Sequence, residues 1–433
     1  MARPLDTDHH IDVKHVDAIR DAVVALRPQI VEALQTLVQI PSETGQEGLA
    51  QEAVAGMMAA AGLDIDVWEP DRSALMPFSE SVTLPPTFAG RPNVVGVDRG
   101  TGNGRSLILN GHIDTVEVGD RSHWSVDPLA GVVRDGHLFG RGACDMKGGI
   151  VANLFAVRAL HLAGLRAKGD VFLESTISEE DGGSGALAAV LRGYVADAAL
   201  ISEPTNMTIV TAQGGSLMFR VRIQGRSAHA CMRGEGVSAF EKFALVQDGL
   251  LAFEALRTQE IVHPRYDKMT IKAPINIGTI SGGSWHSTVP DEVVFEGRAG
   301  LVPGETLDSF KLRLASVIDE IAKKDPWLAA NQPTVEWLDG QFAPADIEER
   351  HPFARHVRRA VATIGAVTPE FTGVTYGADM RHFVLTGNTP CVMFGAGDVR
   401  LAHAPNESIP LNDLFAAIST TAVLIAQWCE IAE

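Results

Sequence analysis

Seven side chains of this sequence, His112, Asp114, Asp145, Glu179, Glu180, Glu203 and His403, are of the types that bind metal ions and move protons. Two imidazoles and several carboxylates suit Zn2+, with Co2+ or Mn2+ as substitutes at a mixed nitrogen and oxygen site. Two ions bridged by one carboxylate use five ligands: each ion takes one histidine, one terminal carboxylate and a share of the bridge. Two dications bring +4 while Asp145, Glu180 and Glu203 bring −3, so with both histidines neutral the site carries +1. Such a site lowers the pKa of a bridging water toward about 7 and makes hydroxide available at neutral pH. Glu179, beside a ligand and free of the metal, is then the expected general base.

The elements around these residues explain how they would meet. Residues 107–110, Leu-Ile-Leu-Asn, read as a buried strand that Asn110-Gly111 breaks, and His112 and Asp114 follow two apart, on one side of an extended chain. Helices are expected over 13–40, 47–62 and 150–163 and from Ser184. Strands are expected over 64–68, 93–97, 171–173 and 198–201. Strands alternating with helices predict an α/β domain with a mostly parallel central sheet flanked by helices, whose functional groups gather beyond the carboxyl ends of the strands. The segments 140–149, 178–183 and 202–205 all fall there. The Pro-rich stretch around Pro77, Pro85 and Pro86 reads as a surface loop.

The pattern changes after residue 212. Strands over 217–223, 270–280, 293–301 and 334–338 and helices over 237–256 and 306–324 follow in the order βαββαβ, a ferredoxin-like plan. This predicts an inserted domain over 213–340 between two parts of the catalytic domain, 1–212 and 341–433.

Composition narrows the function. With 36 Lys and Arg against 54 Asp and Glu, the net charge of −18 argues against nucleic acid or an anionic membrane as partner. No stretch is apolar enough to span a bilayer, and the first ten residues lack the apolar core of a secretory signal. Cys144, Cys231, Cys391 and Cys429 have no paired spacing and read as reduced thiols, so a cytoplasmic location is expected. His9-His10 reads as a solvated tail, and Cys144 as a packed residue rather than a nucleophile. Each acidic or imidazole group, taken singly, also has a plain structural reading as a turn residue, a solvated charge or a loop histidine.

Six segments taken together resemble a known family. They are His-Ile-Asp-Thr-Val (112–116), Gly-Arg-Gly-Ala-Cys-Asp-Met-Lys-Gly-Gly (140–149), Ser-Glu-Glu-Asp-Gly-Gly (178–183), Ser-Glu-Pro-Thr (202–205), Gly-Arg-Ser-Ala-His-Ala (225–230) and Ala-His-Ala-Pro-Asn-Glu (402–407). The set is similar to that of the dinuclear zinc amidohydrolases and metallopeptidases that include acetylornithine deacetylase, succinyl-diaminopimelate desuccinylase, aminoacylase and glutamate carboxypeptidase. The resemblance implies a zinc-peptidase-like catalytic domain holding two zinc ions per subunit, with the inserted domain serving as lid and dimerisation unit. It gives His112 and Glu203 to one zinc, Glu180 and His403 to the other, and Asp145 to both. Asp114 would orient His112, Glu179 would be the base, and His229 would reach the active site of the other subunit of a homodimer and polarise the scissile carbonyl.

In the same light Asn276, Arg298, Gly377 and Arg381 fall in segments that bind substrate in relatives, an arginine suiting a substrate carboxylate. Glu117 stands where a proline is common in relatives and Ser287 where an asparagine is common. His382, close to Asp379 and Arg381, is the remaining histidine most suggestive of a role. The expected activity is metal-dependent hydrolysis of the amide bond of an N-acyl amino acid or similar small N-acyl compound. The alternatives are a carboxypeptidase or dipeptidase, hydrolysis of an unusual catabolic C–N bond, or a non-catalytic metal-binding protein.

Overall fold

The computed structural model describes residues 11–365 and 369–432; His9-His10 lies outside the described residues. The long helix Val13–Gln39 buries Ile19, Val23, Leu26, Ile30, Leu34 and Leu37, the stripe that a period of 3.6 produces. It stops at Ile40, which is extended because Pro41 disfavours the helical region in the residue before it. This helix packs with Gly148–Leu162 and Leu411–Trp428 over one large core.

Beneath the helices lies a nine-stranded mixed sheet. Its centre is four parallel strands in the order Val171–Thr176, Leu107–His112, Ala199–Ile201 and Cys391–Met393. The run Leu107-Ile108-Leu109 is fully buried, as expected of a parallel strand covered on both faces. Antiparallel strands flank the centre, Asn93–Asp98 and Asp64–Trp68 on one side and Ile209–Gln213 and Ala345–Asp346 on the other. Because the central strands share a direction, their carboxyl ends open on one edge, and the candidate ligands meet there.

A second sheet is wholly antiparallel, in the order Ile275–Gly282, Glu292–Leu301, Gly215–Gln224 and Thr334–Trp337. With helices Ala239–Glu260 and Leu307–Ala322 it completes the ferredoxin-like βαββαβ order. Leu217, Phe219, Val221 and Ile223 alternate into a separate core with Phe295, Leu250, Phe310 and Leu314. The helix Leu307–Ala322 starts with a capping box between Thr306 and Ser309.

Three expectations need correction. The strand expected from 270 begins at Ile275, because Pro274 has no N–H to enter the ladder. The Pro-rich stretch is not merely a surface loop: Val82 and Phe88 are buried, and Lys311 donates to Glu80 at 2.9 Å from the second sheet's helix. Strands Val132–Arg134, His137–Phe139 and Ile209–Gln213 are additional to those expected; the first two, at three residues each, are too brief for a period to show.

Candidate metal centre

Most of the candidate ligands sit at or just past the end of a central strand. His112 closes the strand Leu107–His112, Glu179 and Glu180 follow Val171–Thr176, and Glu203 follows Ala199–Ile201. Asp145 lies in the turn leading to the helix Gly148–Leu162, and His403 stands in a loop with φ +59°, the left-handed region unusual for a side-chain-bearing residue.

Two clusters form, His112 with Asp145 and Glu203, and Asp145 with Glu180 and His403; in each, one potential ligand atom per residue lies within 4.8 Å of the others. Asp145 belongs to both and divides its oxygens between them. Oδ1 is 3.1 Å from His112 Nε2, and Oδ2 is 3.5 Å from His403 Nε2. His112 Nε2 is also 3.9 Å from Glu203, and His403 Nε2 is 3.0 Å from Glu180.

The electrostatics of this donor set fit a pair of cations. Burial, reinforced by the neighbouring acids, raises the carboxyl pKa of Glu203 and of Glu180. The side chains of Asp145 and Glu180 push His403 up to about 10. Burial pulls His112 down, but Asp114 and Asp145 outweigh it and the imidazole ends well above its ordinary value. Asp145 moves the other way, because both histidines offset its burial and hold it low. The cluster thus retains protons where dications would supply the positive charge, and metal binding would displace them. Glu179 lines the same cavity but belongs to neither cluster, and burial raises its pKa well above the ordinary carboxyl range.

Two further carboxylates fix the main chain beneath the ligands. Asp114 accepts the backbone N–H groups of Glu179 and Glu180, each at 3.1 Å, and the Thr44 hydroxyl at 3.0 Å. Its contact with His112 differs from expectation. The imidazole Nδ1 lies 2.9 Å from the Asp114 main-chain carbonyl and 3.6 Å from the carboxylate, so the carbonyl is the acceptor that aims the ring. Glu407 repeats the device across the site, accepting the N–H groups of Cys144 at 2.9 Å and Asp145 at 3.1 Å while Arg141 donates to its other oxygen at 2.6 Å. Glu407 and Arg141 stand inside recognisable motifs, yet nothing in their spacing announces the pairing.

The remaining expected residues divide. A cavity of about 490 Å³ lies over the clusters, and Arg298 and Gly377 line it with Phe342, Tyr376 and Met218. A Cβ at Gly377 would come within 2.5 Å of the Phe342 ring, so glycine is required there. Arg298 donates weakly to the Thr375 carbonyl at 3.3 Å. Asn276 is exposed and pairs across the sheet with Arg298, outside the cavity lining.

Arg381 departs from the expected substrate contact. It is buried, stacks 3.8 Å from the Phe342 ring centroid, and donates to the Ala378 carbonyl at 2.8 Å and the Gly182 carbonyl at 2.7 Å. His382 is buried 3.9 Å from Asp379, and burial holds it well below its ordinary pKa. His229 is exposed and away from the cavity of its own chain, its Nδ1 accepting the Cys231 N–H. The Ser287 carbonyl accepts the adjoining Ala230 N–H at 2.9 Å, while Glu117 is exposed outside the cavity. Cys144 is buried, with burial raising its thiol pKa, so it stays a packed thiol.

Comparison with known proteins gives the class. Residues 108–427 match the model of peptidase family M20/M25/M40, and the chain belongs to that family. It is a hydrolase of amide bonds. Among relatives, the N-formyl-4-amino-5-aminomethyl-2-methylpyrimidine deformylase of Bacillus subtilis is 28% identical over 440 residues, covering 96% of this chain and 98% of the relative. Acetylornithine deacetylase of Myxococcus xanthus is 31% identical over 343 residues, 78% of this chain and 84% of the relative. A tripeptidase structure from Staphylococcus aureus shares the fold, with a TM-score of 0.73 at 22% identity over 93% of this chain and 98% of that one.

Proposed function

We propose that the protein is a dinuclear zinc deacylase that releases a small acyl group from an N-acylated compound. The observation that carries this reading is the pair of ligand clusters sharing Asp145, with Glu179 beside them and in neither. His112, Asp145 and Glu203 would hold one zinc and Asp145, Glu180 and His403 the other. Bound zinc supplies Lewis acidity and brings the ionisation of water to near neutral pH. Glu179 takes a proton from the attacking water and passes it to the departing nitrogen. The raised pKa of this residue suits a group that must hold the proton between those steps.

Similarity to a deformylase and a deacetylase favours formyl and acetyl groups, including those on a heterocyclic amine. Arg298 favours a substrate that carries a carboxylate: it is half-buried in the cavity lining with no carboxylate partner among the described residues. That feature serves an N-acyl amino acid or the C-terminus of a dipeptide alike, and peptide hydrolysis is therefore the second reading. Residues 213–340 act as lid and dimerisation domain. The uncovered edge strand Ile275–Gly282 and the exposed Phe240, Ile280 and Trp285 support a homodimer in which His229 of a second subunit completes the site. Among the described residues no helix is long and apolar enough to cross a membrane, and unpaired cysteines agree with a cytoplasmic setting.

The test is a screen of zinc-loaded protein against N-formyl, N-acetyl, N-succinyl and N-carbamoyl compounds and dipeptides, with Glu179→Ala as control. Preference for dipeptides over every N-acyl compound would replace the first reading by the second. Unchanged turnover in Glu179→Ala would refute the mechanism.

A further inference from the structure

Tyr376 is a polar side chain of the cavity that the chemistry above leaves without a task. It lines the cavity with Asp145, Glu179, Glu203 and His403. Its hydroxyl is buried and has no hydrogen-bond partner among the described residues. Burial holds its proton on, reinforced by Glu203, Asp145 and Glu179 of the same cavity, none of which is within hydrogen-bond reach. A phenol titrates near pH 10, about three units above neutrality, so at neutral pH this group is a donor without an acceptor. Buried donors ordinarily find partners, and an orphan at a reaction site is expected to gain one from what binds there.

The surroundings say which atom that is. Glu203 and Asp145 belong to the His112 cluster, and Glu179 is the group placed to handle the proton. A donor that shares the cavity lining with all three borders the space in which the acyl oxygen must lie during attack, while Arg298 of the same lining would hold a carboxylate. Its backbone neighbours are both in contact with the cavity lining. Thr375 before it accepts from Arg298, and Gly377 after it packs against Phe342. We propose that the Tyr376 hydroxyl is a further catalytic group, donating a hydrogen bond to the substrate's acyl oxygen as that oxygen gains negative charge. This rests on the amide-hydrolase reading of the site.

The test compares zinc-loaded wild type and Tyr376→Phe on N-formyl and N-acetyl amino acids, with zinc content and thermal midpoint measured on both proteins. The expected result is a loss of kcat of about 10²–10³-fold, the usual effect of removing one oxyanion donor, with KM within about threefold. Zinc content should be unchanged. The thermal midpoint should hold or rise, because the lost hydroxyl has no partner in the folded chain to forfeit. A kcat within about threefold of wild type overturns the proposal. A fall in kcat accompanied by lost zinc or a lowered midpoint also overturns it, by showing a structural hydroxyl. Wild type that hydrolyses none of these compounds overturns the deacylase reading and this role together, whereas active wild type with an unaffected variant removes this role alone.

Discussion

Asp114 accepts the main-chain N–H groups of Glu179 and Glu180 through its separate oxygens Oδ1 and Oδ2. One buried carboxylate therefore sets the position of the proposed base and of a proposed ligand at once, while its own main-chain carbonyl aims His112. Glu407 holds the adjacent amides of Cys144 and Asp145 together on its single oxygen Oε1. The acids that shape this site are thus of two kinds, those facing the cavity and those that hold the backbone of the first kind in place.

Asp114→Asn tests that division. Asparagine keeps one accepting oxygen and replaces the other by an NH₂ group, which turns a donor toward a backbone N–H. Leaving a buried amide without its acceptor costs about 1–3 kcal/mol. Activity and zinc affinity should fall about 10–100-fold, the usual range for a residue supporting a metal ligand. Enzyme assays and zinc titration check this, and a variant with wild-type zinc affinity and turnover would show that the two amides need no fixed acceptor.

Metal loading should be proton-linked. The raised pKa values of Glu180, Glu203 and His403 mean that the metal-free cluster binds protons that zinc must expel. Apparent zinc affinity should therefore weaken as pH falls. Calorimetric titration in buffers of different ionisation enthalpy should report proton release. Chelation should abolish turnover and lower the thermal midpoint, with zinc restoring both.

Much of this was legible in the sequence because His112, Glu180 and Glu203 stand at or just past the ends of apolar strands, where a parallel sheet gathers its chemistry. Period alone also marked the helix stripe from Ile19 to Leu37 and the alternation from Leu217 to Ile223. The clamps of Asp114 and Glu407 were not legible, since a carboxylate accepting an amide 65 or 263 residues away leaves no local pattern. Arg381 shows the same limit from the other direction. Its type and segment fit a substrate carboxylate, but only the packed structure reveals that main-chain carbonyls and the Phe342 ring already take its guanidinium.

Arg381→Lys should expose that role. An ammonium cannot reproduce the planar fork that reaches Ala378 and Gly182 together, nor its stacking on Phe342. Loss of one such charged hydrogen bond and the stack should lower stability by about 2–4 kcal/mol, readable in urea unfolding. Because Gly182 lies two residues beyond Glu180 in the same turn, kcat should fall more than KM rises. A large rise in KM confined to carboxylate-bearing substrates, with stability unchanged, would instead return Arg381 to substrate binding.

Glu174 lies in the central strand Val171–Thr176, fully buried, with Asn110 donating to one oxygen at 3.1 Å and the other oxygen unpartnered. Burial raises its pKa to about 8, from an ordinary value of 4.5. The folded chain therefore holds this proton at pH values where the unfolded chain has lost it. Its contribution to stability is complete below pH 4.5 and is lost as pH rises through about 8. Linkage sets the slope at no more than about 1.4 kcal/mol per pH unit across that window. Glu174→Gln keeps a carbonyl to accept from Asn110 and cannot ionise, so it removes this loss. With zinc saturating in both proteins, the difference in thermal midpoint, variant minus wild type, should grow steadily from pH 5 to pH 8. A difference constant over that range would show that Glu174 is not the proton-holding group of the central strand.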